Sequence, residues 1–168
     1  MKLTDHFTLE ELSFSETATR NGIDNTPPDV LFPRLLMLAD GAERVRSVLG
    51  FAMRVHSGYR CEALEKIIAR KDFIGWCRAH GKTEDDWPEY FAHKVHPKGG
   101  AMDFTSPSFG TPRQVVECIV AHQDVIRFDK VIEEGSWVHI QFSDKPRGQV
   151  LTARFGDDGV PVYTPGLA

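Results

Sequence analysis

The sequence predicts an α+β domain, helices packed on a mainly antiparallel sheet, spanning residues 1–168. Three observations predict it. Amphipathic helical periodicity comes early in the chain, and short strand-like runs fill its last part. The links between those runs are too tight for the crossovers that parallel strands need. A chain of 168 residues suits one domain with one core, and no repeat, low-complexity tract or long linker divides it.

The elements follow in order. Thr8-Leu9-Glu10-Glu11 has a capping-box pattern ahead of Leu12, which predicts a short first helix. After Pro27-Pro28, the residues Leu31, Leu35, Leu38, Ala42, Val45 and Leu49 recur at helical spacing, and Gly50 ends the stripe. Phe51, Met53 and Val55 alternate with Ala52, Arg54 and His56, the pattern of a half-buried strand. It leads into the turn Ser57-Gly58-Tyr59-Arg60 and a helix to about Ile68. Residues 72–93, rich in charge and aromatics, read as an inserted helical excursion whose Trp76, Trp87, Tyr90 and Phe91 make a small core of their own. Thr111-Pro112 opens a helix carrying Val115, Val116, Ile119 and Val120. Strands are expected at Phe128–Glu134, Trp137–Phe142 and Val150–Phe155. Gly156-Asp157-Asp158-Gly159 is expected to turn the last of these into Val160–Tyr163.

Composition narrows the function. The hydrophobic share is 41%, the charged share 26% and the net charge -4, with no basic run dense enough to track phosphates. The expectation is no nucleic-acid partner. Cys61, Cys77 and Cys118 are dispersed, which suits a reducing compartment and argues against a disulfide framework or a thiolate metal site. The N-terminus lacks the apolar run of a signal peptide, and no stretch is long and apolar enough for a bilayer. Synthesis in a cytoplasm without a leader, no membrane partner and a monomeric state are therefore expected.

Two segments concentrate possible metal ligands. In His96-Pro97-Lys98-Gly99-Gly100-Ala101-Met102-Asp103, a histidine and a carboxylate flank a Gly-Gly pair that allows a tight turn. In Glu133-Glu134-Gly135-Ser136-Trp137-Val138-His139, a histidine sits between the core-facing Val138 and Ile140. Zinc hydrolase sites take three protein ligands and leave one position for water, and His96, Asp103 and His139 supply that set. A base is then needed. Strand alternation puts Lys130, Ile132 and Glu134 on one side and Asp129, Val131 and Glu133 on the other, so only one glutamate faces the metal. The residues alone leave the choice open; the glutamate that turns away is expected to be solvated.

The order Ser57-Gly58-Tyr59-Arg60, His96-x-x-Gly99-x-Ala101-x-Asp103, then Glu134 before Trp137-Val138-His139 resembles the zinc D-alanyl-D-alanine carboxypeptidase family. That family includes phage endolysin peptidases, and its fold is related to the VanX dipeptidases and the hedgehog signalling domain. Phe7-Thr8-Leu9-Glu10-Glu11-Leu12, Thr17 to Asn25 and Val45 to Gly50 share the resemblance, which spans about Phe7 to Phe142. It implies a hedgehog/DD-peptidase-like domain, one zinc ion held by His96, Asp103 and His139, and Glu134 as general base. It also implies an arginine, Arg60, that holds a substrate carboxylate or carbonyl oxygen, with Ser57, Tyr59 and Trp137 as further substrate contacts. Without a substrate role, Arg60 would form a surface ion pair with Glu62 or Glu65. Two departures stand out: Lys94 replaces a serine common in the family, and the 72–93 segment lengthens the path to His96.

The implied function is zinc-dependent hydrolysis of peptidoglycan peptide bonds, as carboxypeptidase or endopeptidase. The release of a phage lysis enzyme through a membrane hole would bring it to the wall. The competing expectations are a non-catalytic zinc-binding module of a phage particle and a cytoplasmic D,D-dipeptidase.

Overall fold

The computed structural model describes residues 1–168. Helix α1 (Leu9–Ser13) starts at Thr8, whose side chain accepts from the Glu11 N–H while Glu11 reaches back to the Thr8 N–H. Ser15 caps α2 (Glu16–Arg20) by accepting from the Ala18 N–H, with no return bond. The apolar stripe after the prolines forms α3 (Phe32–Leu49), with Leu35, Leu38, Ala42, Val45 and Leu49 buried and Gly50 closing it at φ 70°.

Strand β1 (Arg54–Ser57) begins later than the alternation from Phe51 suggests. Arg54 is the first residue with a cross-strand partner, and Phe51 stays 45% exposed. Alternation reports a face, and only a neighbouring strand makes it a strand.

Three helices follow: α4 (Glu62–Ile68), α5 (Arg70–His80) and α6 (Trp87–Ala92). Between α5 and α6, Phe73 lies edge-on to Trp87 at 5.2 Å and 5.0 Å from Tyr90, in a satellite core separate from the main one. Then come β2 (Ala101–Thr105), α7 (Pro112–Ala121), α8 (Gln123–Ile126), β3 (Lys130–Glu133), β4 (Val138–Gln141), β5 (Gln149–Phe155) and β6 (Pro161–Pro165). Thr111 and Gln114 form the capping box of α7. No helix is long and apolar enough to cross a membrane.

The six strands lie in the order β1-β2-β4-β3-β5-β6, antiparallel throughout except for β3 beside β5, which is parallel. The sheet is mainly antiparallel, as expected, and its one parallel pair has a simple origin. Strands β4 and β5 run in opposite directions, so the segment between them stays at one end of the sheet and steps past the start of β3. The parallel pair needs no crossover.

Period-two alternation gives the sheet two distinct faces. Met102, Phe104, Val131, Val138 and Ile140 join α3 and α7 in one core of 18 buried residues. Asp103, Lys130, Ile132, His139 and Gln141 point the other way, into a cleft. Burying the first set fixes the register, and the register places the second set. Helices also border the cleft face: α4 and α5 meet it through Ile68, Lys71 and Asp72. The tip of the β5–β6 hairpin seats Val160 against Gly75 of α5, where a Cβ would come within 2.5 Å of Val160 Cγ1.

Candidate metal centre

Asp103 on β2 and His139 on β4 are directly paired in register, so their side chains leave the sheet together. His96 comes from a single helical turn, His96–Lys98. Gly99, at φ 69°, then swings the chain into β2, a conformation that a side chain would strain. One ligand atom from each of the three side chains lies within 4.8 Å of the others, and all three residues are buried. His139 Nδ1 is 2.7 Å from Asp103 Oδ1, and His96 Nε2 is 3.4 Å from the same oxygen.

Each of the three has a second partner that aims it. His96 Nδ1 donates to the Gly58 carbonyl at 2.6 Å, which leaves the Nε2 lone pair facing the cluster. The Gln141 amide nitrogen lies 2.8 Å from His139 Nε2 and donates to it, which puts the His139 proton on Nδ1, toward Asp103; turning the amide over presents its oxygen to Nε2 and frees the Nδ1 lone pair for metal. Arg60 Nη2 donates to Asp103 Oδ2 at 2.5 Å and leaves Oδ1 turned inward. Burial pushes the Asp103 carboxyl up, but His96, Arg60 and the His139 hydrogen bond together hold it well below the usual carboxylate range. Burial and the Arg60 charge push His96 down, toward the neutral imidazole. An ionised carboxylate and neutral imidazoles are the forms that bind metal. This donor set fits a divalent ion such as zinc, with three protein ligands.

Gly58 serves the site through its backbone, and it has no room for a side chain, because an added Cβ would run into the Leu12 carbonyl oxygen. Gly58→Ala should therefore cost about 3 kcal/mol, the upper end of ordinary overpacking. A urea midpoint equal to wild type would contradict this.

Arg60 is buried. Its Nε donates to Ser57 Oγ at 2.8 Å and its Nη1 to Glu65 Oε2 at 3.4 Å. The pair with Glu65 is no surface contact, since Glu65 is 0% exposed. Glu65 Oε1 is 3.6 Å from Lys94 Nζ, which also reaches Asp72 at 2.9 Å and the Tyr90 hydroxyl at 2.8 Å. Lys94 thus ties the α5–α6 pair to the residues behind the candidate metal ligands. Ser57 and Tyr59 do not line the cleft: Ser57 holds Arg60, and the Tyr59 N–H donates to the Leu12 carbonyl.

The two glutamates separate. Glu134 lines the cleft at the tight turn between β3 and β4, where its N–H donates to the Trp137 carbonyl and Gly135 takes φ 77°. Burial raises its pKa; Asp103 adds to this, while His139, Trp137 and Arg60 oppose it. The Trp137 indole N–H makes no formed hydrogen bond, yet lies near enough to Glu134 to favour the carboxylate. Glu133 faces the opposite side and, contrary to the expectation of a solvated residue, is 3% exposed and paired with Arg154 at 2.8 Å. The parallel neighbour β5 is the cause, because it brings Arg154 to that face beyond the main core.

The cleft measures about 540 Å³. Ile68, Asp72 and His93 form one wall, and Trp137, Phe155, Pro161 and Tyr163 another. The sequence reading placed no function on the β5–β6 hairpin, and nothing short of the strand register shows that Phe155 and Tyr163 share the ligand face. Gln141 could have been found, since it lies two residues beyond His139 on the same strand face. His93 lines the cleft but is not one of the converging ligands.

The family model described as Peptidase M15 matches residues 5–69. The matched segment contains Arg60 and ends before His96, so the convergence of the three ligands is an observation independent of the match. No curated protein matches the chain.

Proposed function

Taking the chain as an M15 peptidase, the membership its matched segment supports, we propose that it hydrolyses peptide bonds of bacterial peptidoglycan in a zinc-dependent reaction. It acts either as a D-alanyl-D-alanine carboxypeptidase or as an endopeptidase within the stem peptides, in the manner of a phage lysis enzyme. The observation that carries this reading is the convergence of His96, Asp103 and His139 on the floor of a cleft that also holds Glu134.

Zinc held by those three residues would polarise the scissile carbonyl and acidify water. Glu134 is the base. Its carboxylate takes the proton of the attacking water and returns it to the leaving amine. Arg60 orients Asp103 and adds positive charge where the carbonyl oxygen becomes negative. The aromatic wall of Trp137, Phe155 and Tyr163 excludes water and packs against the substrate. A structural zinc site is closed by four protein ligands, whereas this one gathers three beside an ionisable glutamate in an open cleft.

Digestion of purified peptidoglycan, followed by product masses, tests the proposal. Zinc-loaded protein should release peptide fragments or D-alanine, and a chelator should stop the release. Hydrolysis of free D-Ala-D-Ala alone would favour the small dipeptidase instead. Unchanged muropeptides would leave a non-catalytic binding module, and sugar fragments would contradict a peptidase of any kind.

A further inference from the structure

Most charges of the cleft are already committed. Arg60 serves Asp103 and Glu65, and Lys94 serves Asp72 and Glu65. Lys130 lines the same cleft, half-buried, and its ammonium makes no hydrogen bond or ion pair to any protein group. Its neighbour Asp129, just before β3, is taken by Arg147 through contacts of 2.9 and 2.6 Å. Burial, then Arg147 and Lys94, disfavour the Lys130 ammonium, with Asp129 opposing them. Lysines near a surface usually carry the ammonium out to water. This one starts from the cleft floor, and an anion arriving there would offset its lost hydration.

The register says how far Lys130 stands from the chemistry. Ile132 is opposite His139, and Lys130 is opposite Gln141. Lys130 and Glu134 therefore lie on the same side of the sheet, to either side of the His139 position. The Lys130 backbone is about 7 Å along the strand from that position, the length of roughly two extended residues. The β5–β6 hairpin and α5 wall the cleft, so a peptide lying on its floor passes the ammonium.

We infer that Lys130 is a specificity residue whose ammonium binds a carboxylate of the substrate one or two residues from the scissile bond. The inference rests on the peptidase reading and narrows its substrates to peptides with a free acid at that spacing. Stem peptides offer two sources, the C-terminal carboxylate and a side carboxylate along the stem.

The test compares a stem pentapeptide with its C-terminal amide and its side-carboxylate amide. Wild type, Lys130→Met and Lys130→Arg are used as zinc-loaded proteins, with turnover and calorimetric binding both measured. Wild type should prefer the acid over one of the two amides by roughly 10- to 100-fold, the range for a charge-assisted hydrogen bond, and the amide that suffers identifies the source. Lys130→Met should bring that ratio to within about threefold, chiefly through KM, and Lys130→Arg should keep most of it. A wild-type ratio that survives in Lys130→Met, or no ratio in wild type, overturns the inference. Cleavage without acid preference removes the Lys130 role and leaves the peptidase. Acid-selective binding that depends on Lys130, without cleavage, removes the peptidase and leaves the subsite. Neither binding nor cleavage removes both.

Discussion

Glu134→Gln should lower kcat/KM on stem peptides by roughly two orders of magnitude or more, the typical contribution of a general base. Zinc content and unfolding midpoint should stay at wild-type values. Gln keeps the shape and the turn hydrogen bonds of Glu134, which run through its backbone, and removes only the capacity to take a proton. Glu133→Gln is the control that gives the result meaning. Glu133 faces away from the cleft and pairs with Arg154, so its loss should weaken the fold modestly and leave the rate within a few-fold. If the two variants exchanged these phenotypes, the base would be Glu133 and the hairpin register would be wrong. An inactive Glu134→Gln enzyme beside an active Glu133→Gln one is therefore the expected outcome, and the reverse pattern overturns the assignment.

That pair also shows how far the sequence could be read. Alternation from Phe128 separates Glu133 from Glu134, because a strand cannot turn two successive side chains to one face. It does not say which face holds the metal until β2 and β4 are paired and Asp103 stands beside His139. The long stripe of α3 and the capping box at Thr111 were legible because their signals are local. The parallel placement of β5 was not, since strand order depends on partners distant in sequence. Arg154 reaches Glu133, and Phe155 and Tyr163 reach the cleft, only through that placement. For the same reason Arg60 reads as a substrate contact in the sequence, while the fold shows its guanidinium occupied by Ser57, Glu65 and Asp103. Its side chain still borders the cleft, so holding Asp103 and meeting a substrate oxygen are compatible tasks.

Asp103→Ala and His139→Ala should both abolish zinc binding and activity, yet differ in stability. A site that needs three protein donors does not hold the ion on two, so neither variant should show the rise in Tm that zinc should give wild type. At a hundredfold excess over Kd, that rise corresponds to about 2.7 kcal/mol. Without metal, the two variants part. His139→Ala removes an imidazole. Asp103→Ala leaves the Arg60 guanidinium buried with only Glu65 for an ion-pair partner, and breaking one side of a buried pair costs about 3–5 kcal/mol. Metal-free Asp103→Ala should thus unfold at clearly lower urea than metal-free His139→Ala. Acid adds a second check. The folded-state pKa of Asp103 is depressed, so its contribution to stability is complete above the usual carboxylate range and lost as pH falls through the folded value. Metal-free wild type should lose stability toward acid more steeply than Asp103→Ala, which no longer carries that carboxyl. Equal acid slopes, or equal urea midpoints for the two metal-free variants, would mean that Arg60 does not depend on Asp103 and that the ion pair behind the metal site is not what orients it.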